Sequence, residues 1–166
     1  IIAPHQIHAN TLNTSITGAT NVTAGDSFTL TFAVTNAKDA QGIQSIISFD
    51  TNHFSIVSAQ NLISNSAGGY TSASNRYDAS WLEYRSGSIS FLRIVFQTRS
   101  NFTPGTNSSI SMNSTRIAQG NPPLQFNGAP SSITLTSIAP LSTINTLNNI
   151  TINGSNLAGF RAATTS

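Results

Sequence analysis

The stretch GDSFTLTFAVTN, residues 25–36, constrains the fold more than any other feature of the chain. Phe28, Leu30, Phe32 and Val34 alternate there with Thr29, Thr31, Ala33 and Thr35. Apolar side chains at period two line one face of a β-strand, because successive Cβ atoms point to opposite sides of the pleat. The same period returns downstream. GIQSIISFD sets Ile43, Ser45, Ile47 and Phe49 on one face. SISFLRIVFQT turns Leu92, Ile94 and Phe96 inward and leaves Phe91, Arg93 and Val95 on the other side, as in a strand covered on both faces. HFSIVSAQNLI offers Phe54, Ile56, Val57, Ala59 and Leu62. Shorter runs follow in SSISMNSTRI, PLQFNG, SSITLTSI and NNITINGSNL, with Asn127-Gly128 and Asn153-Gly154 as turn signals. No helical stripe interrupts them. The expectation is an all-β domain: an antiparallel β-sandwich of about nine strands, jelly-roll or Ig-like in its connections, with an extended N-terminal strand.

The outer face of that first strand lacks the Lys, Glu and Arg that usually occupy such positions, and the whole chain shares the trait. Charged residues make up 7% of it, whereas Ser, Thr and Asn supply 64 of 166 positions. Polarity therefore comes from hydroxyls and amides. Disorder is the competing reading of such a composition, but 38% hydrophobic content arranged in period-two runs supports a core. Seven basic and five acidic residues are scattered without a run, so the pI of 9.5 reflects scarce acids and gives nucleic acid no basic stripe to follow. Cysteine is absent, which removes disulfides, thiolate metal sites and a cysteine nucleophile. The apolar runs fall far short of the roughly 20 residues that cross a bilayer. The chain opens Ile1-Ile2 without a charged-then-apolar leader, which points to a secreted, cell-surface protein whose signal peptide has been removed. Carboxylates that stabilise a fold by pairing lose that contribution in acid. A surface built without them suits a protein of an acidophile.

Groups able to do chemistry are few. His5 and His8 are three apart in an extended segment and face opposite ways, and His53 stands alone, so zinc finds no converging set. Asp26 and Asp50 sit where turn-capping carboxylates belong, and Asp39 and Asp78 fall in separate loops. Glu83 is the sole Glu, Lys38 the sole Lys, and no G-x-S-x-G elbow is present. The expectation is a non-enzyme with no metal and no cofactor. One cluster carries a second hypothesis: YTSASNRYDASWLEYRSG gathers Tyr70, Tyr77, Trp81 and Tyr84. Such rings stack on a sugar or anchor a partner when exposed, and fill a core when they alternate inward. Seven Asn-x-Ser/Thr sequons, at Asn13, Asn21, Asn101, Asn107, Asn113, Asn149 and Asn153, are candidate N-glycosylation sites, with Asn101, Asn107 and Asn113 foremost because their surroundings are turn-rich.

Two resemblances add to this reading. The string AGDSFTLTFAVTNAKDAQGIQSIISFDTNHFSIVSAQ resembles the opening of a cohesin-type module: Gly25-Asp26, an alternating strand, Gly42 before Ile43, then Phe49-Asp50 and Phe54. SFLRIVFQT is similar to that family's later strand. The resemblance implies a jelly-roll sandwich and a protein-docking role.

The composition, the sequons and the tail together resemble the thread pilins of thermoacidophilic archaea. That resemblance implies a glycosylated cell-surface filament whose subunits, partnered by copies of themselves, polymerise by strand donation. The opening IIAPHQIHANTLN excludes the apolar helix that a type IV pilin needs. Residues 1–10 are then the donor extension, with Ile1, Ile2, Ala3, Ile7 and Ala9 its apolar residues, and 11–166 the single sandwich domain. The apolar parity changes near Asn10, as expected where two strands meet. A docking module or a carbohydrate-binding surface domain is the alternative.

Overall fold

A computed structural model describes residues 12–141 of the chain. Nine strands and no helix make up these residues: β1 (Asn13–Gly18), β2 (Asn21–Thr23), β3 (Ser27–Phe49), β4 (Phe54–Asn61), β5 (Ser66–Thr71), β6 (Arg76–Thr98), β7 (Asn107–Gln119), β8 (Leu124–Asn127) and β9 (Ser131–Ile138). The all-β expectation holds. The expected N-terminal extension, 1–10, and the NNITINGSNL run lie outside the described residues.

Two strands of 23 residues, β3 and β6, organise everything else. Straight, each would reach about 70 Å at the usual rise per residue. A compact domain of this size is only about 35 Å across, so both must fold over. They bend together. Their ladder is regular from Ser27↔Gln97 to Phe32↔Leu92 and again from Gly42↔Ser80 to Ile46↔Arg76, and breaks repeatedly in between. The break holds Asn36 (φ 62°), Asp39 (φ 51°) and Gly87 (φ 88°), left-handed conformations that turn a strand out of its plane.

The bend divides the strands between two layers. In the first, β1, the N-terminal half of β3, the C-terminal half of β6 and β4 lie side by side. The second runs β5, the N-terminal half of β6, the C-terminal half of β3, β7, β9 and β2, with β8 on the far end of β7. Pairing is antiparallel except that β2 runs parallel to β9. The sheet is therefore mixed, a jelly-roll sandwich whose closing pair brings together segments over a hundred residues apart.

Between the layers sit the alternating residues read from the sequence. Phe28, Leu30, Phe32 and Val34 of β3 and Leu92, Ile94 and Phe96 of β6 are all buried, as are Ile43, Ile47, Ile110, Met112, Ile117 and Leu135. Each such side chain contributes about 1.5–3 kcal/mol by leaving water. Phe28 stacks on Phe96 at 5.5 Å, and Phe54 meets Phe28 and Phe102 edge-on at 5.6 and 5.1 Å.

Two expectations are corrected. Phe91 was placed on the outer face but is fully buried beside Leu92, because the ladder steps from Ser90 to Leu92 and leaves Phe91 as the extra residue. Val57, expected with the apolar set of its strand, is exposed, because it alternates with the inward Phe54 and Ile56. Asp50 caps its turn as expected, Oδ1 accepting from the Asn52 amide at 2.8 Å.

Candidate interaction face

Parity and register assemble the outer face of the second layer. Ile43, Ser45 and Ile47 of β3 turn inward, so Gly42, Gln44 and Ile46 turn outward. Residues paired directly across a ladder share a face, which defines three rows. The first is Ala67, Ser80, Gly42 and Ala118, extended onto β8 by Gln125. The second is Gly69, Asp78, Gln44, Arg116 and Asn127. The third is Thr71, Arg76, Ile46 and Asn113.

The first row is made of small side chains, and the row beside it is longer and polar. The result is a trough of about 220 Å³ with Ser80, Gly42 and Ala118 along its floor and Asp78, Gln44 and Arg116 along one wall. It runs across four strands, β6, β3, β7 and β8, for about 14 Å at the usual spacing. Gly42 is central: a Cβ there would already stand 3.3 Å from the Ala79 carbonyl oxygen, so a larger side chain would fill the space.

Charge on this face is sparse and ordered. The Arg76 Nη2 donates to Asp78 Oδ2 at 2.7 Å, and Gln44 Nε2 donates to the same oxygen at 3.2 Å. The Arg76 hydrogen bond holds the Asp78 carboxyl below the usual carboxylate range, against some desolvation, with Gln44 assisting. Arg116 forms no ion pair and no side-chain hydrogen bond among the described residues. Apolar side chains flank this face: Ile46, beyond the polar wall, is 40% exposed, and Leu82, two residues along β6 from Ser80, is 91% exposed.

Register beneath the face is pinned by a buried polar pair. Ser45 and Thr115, both buried, share a hydrogen bond of 2.8 Å between their hydroxyls. Next to Thr115, Ser114 takes a left-handed φ of 52° and forms the bulge by which Gln44↔Arg116 becomes Ile46↔Asn113.

The four-ring cluster does not form an exposed platform. Tyr77 is fully buried, donates to Asn61 Oδ1 at 2.8 Å and packs on Phe91 at 4.8 Å. Trp81 is buried and donates its indole N–H to the Ala40 carbonyl at 2.9 Å, tying the bend together. Tyr70 is half-buried, its hydroxyl on Asn75 Oδ1, and only Tyr84 is exposed. Burial raises the Tyr77 phenol well above its ordinary value and pushes Tyr70 up to about 12. Parity explains the split: Tyr77, Ala79 and Trp81 alternate inward, while Tyr84 shares the outward parity of Asp78, Ser80 and Leu82.

Other candidate residues are dispersed. His53 Nδ1 lies 3.4 Å from Asp50 Oδ2 and its ring packs on Phe102, a turn contact remote from the trough. No three His, Asp or Glu converge among the described residues. Asn13, Asn21, Asn101 and Asn107 are exposed, and Asn21 and Asn107 flank Thr136 from either side of β9. Asn113 is half-buried on the interaction face, its amide donating to Ser48 Oγ at 3.1 Å. Ile1, Ile2, Ala3, Ile7, Ala9, His5, His8, Asn149 and Asn153 lie outside the described residues. Sequence reasoning noticed Gly42 but not its neighbours Ser80, Ala118, Gln44 and Arg116. Outward parity from Ile43 was available to find Gln44; the others required the register.

No helix among the described residues is long and apolar enough to cross a membrane. No protein-family model and no curated protein matches the chain. Solved structures do. The cohesin module of a family 33 glycoside hydrolase from Clostridium perfringens superposes with a TM-score of 0.68 at 8% identity, over 79% of this chain and 99% of that one. The OlpA cohesin of Clostridium thermocellum, solved with a dockerin, gives 0.61 at 16% identity over 78% and 100%. A non-cellulosomal cohesin from the archaeon Archaeoglobus fulgidus gives 0.52 at 15% identity over 76% and 86%. The chain thus has the fold of the cohesin modules, a β-sandwich jelly roll, across nearly the whole length of those modules.

Proposed function

We propose that this domain is a non-catalytic protein-docking module of the extracellular or cell-surface space, which seats a separate protein across the outer face of β5, β6, β3 and β7. The observation that carries the reading is the trough over Ser80, Gly42 and Ala118, set in a flat sheet face of a sandwich whose fold is that of modules solved with dockerin partners. A flat face with a shallow recess suits a partner's protruding ridge better than a small molecule, which needs a deeper pocket. The filament subunit drawn from the sequence has no comparable support: the likenesses are to docking modules, and the tail that would be donated lies outside the described residues.

The test fills the trough. The domain is immobilised against secreted proteins of its own source, and any captured protein is purified and titrated by calorimetry. Expected is a 1:1 complex that Ser80→Trp and Gly42→Trp weaken by about tenfold or more, as losing central packing does, while Thr31→Trp on the opposite layer leaves it unchanged. Melting curves check that each variant is folded. Binding that survives both trough-filling variants and is lost with Thr31→Trp would overturn the proposal.

A further inference from the structure

Three charged side chains stand on the interaction face, and they do not balance. Arg76 and Asp78 neutralise one another at 2.7 Å, and the remaining lone-pair capacity of Asp78 is partly taken by Gln44. Arg116 is left over. It sits opposite Gln44 on one side and Asn127 on the other, two neutral amides. Asp78, in the same row, is two strands away, about 10 Å at sheet spacing, and already paired. No Lys or Glu belongs to these three rows.

An exposed Arg on a free surface loses little by having no partner, because water solvates it. The situation changes when a partner covers the trough. A guanidinium buried under a neutral ridge loses its water without compensation, which opposes docking, and a basic ridge is repelled outright. A carboxylate instead receives two parallel N–H···O bonds from the planar fork of the guanidinium. Resting on the docking reading above, we infer that the partner is an acidic protein segment: an Asp or Glu side chain pairs with Arg116 while apolar groups beside it fill the trough and meet Ile46. The uncompensated charge selects the partner as well as holding it, since charge complementarity across an interface governs specificity and encounter rate.

A random-peptide display library panned on the immobilised intact domain tests this without knowledge of the natural partner. Selected peptides are synthesised and titrated against the wild type, Arg116→Gln, Ser80→Trp and Thr31→Trp, all confirmed folded by melting. Expected are peptides rich in Asp or Glu that Ser80→Trp abolishes, and whose affinity falls by about 30-fold with Arg116→Gln, the lower range for truncating one member of a covered charge pair. Changing the peptide's critical carboxylate to its amide gives the same loss, and both changes together no further loss. Peptides blocked by Ser80→Trp that show no acidic enrichment, or that keep their affinity on Arg116→Gln, overturn the inference and leave the docking reading standing. A library yielding no peptide sensitive to Ser80→Trp overturns the docking reading itself.

Discussion

The hydroxyl pair between Ser45 and Thr115 holds β3 and β7 in the register that builds the face above them. The two oxygens are 2.8 Å apart, both residues are buried, and neither hydroxyl has another side-chain partner among the described residues. Ser45→Ala removes one oxygen and strands the other in an apolar layer. Thr115→Val does the converse with almost no change of volume. Each single change is expected to cost about 1–3 kcal/mol, the price of one buried hydroxyl left without a partner. The double variant removes both and leaves only apolar groups of similar shape, so it should return close to the wild type. On a domain whose whole stability is about 5–15 kcal/mol, a 2 kcal/mol loss is large. It corresponds to roughly 8 °C in Tm at this size. Guanidinium titrations followed by the fluorescence of Trp81, the sole tryptophan and itself buried, measure all four corners of the cycle. A double variant that loses the sum of the two single losses would show that the hydroxyls do not satisfy each other and do not set the register.

Further outcomes follow from burial and charge. Glycopeptide mass spectrometry of protein from a glycosylating source should find glycans at Asn21, Asn101 or Asn107, which are exposed at the β2, β7 and β9 end, and none at the half-buried Asn113; occupancy of Asn113 alone would contradict the placement. Because burial raises Tyr70 to about 12 and Tyr77 further, their contribution is fully present below the unfolded value near 10 and is lost as pH rises through the folded one. Thermal melts should therefore hold steady up to pH 10 and fall above it, and Tyr77→Phe should flatten that fall. In acid the sign reverses for Asp78, whose contribution is present above the unfolded carboxylate value and lost as pH drops through its lowered one; the pair is exposed, so Asp78→Asn should cost under about 1 kcal/mol at neutral pH. Phe96→Ala, at the meeting point of Phe28, Phe49 and Phe54, should cost about 3–5 kcal/mol in the same guanidinium assay.

What the amino-acid sequence determined by itself is the class of the fold and most of its inner face. Phe28 to Val34, Ile43 to Ile47 and Leu92 to Phe96 alternate at period two, and each apolar member is buried where that alternation placed it. The reason is local: within one strand, facing is decided by the pleat, and the pleat needs no knowledge of neighbours. The cohesin-like string around Gly42 carried the topology as far as a resemblance could. Everything that depends on which strand lies beside which was decided by the tertiary structure. The bulge at Phe91 exists because β6 must shift its pairing with β3 before both strands turn into the second layer, and no local pattern marks it. Glu83 stayed in solvent although it continues the inward parity of Tyr77, Ala79 and Trp81, because the bend ends the alternation there. Ser80, Gly42, Ala118 and Arg116 come from three strands and became one face through register, a long-range property that slips by a whole face for each residue of error. The interaction face is legible only once those registers are known, because its character lies in the sum of small and neutral side chains across strands and in the one charge that sum leaves unpaired.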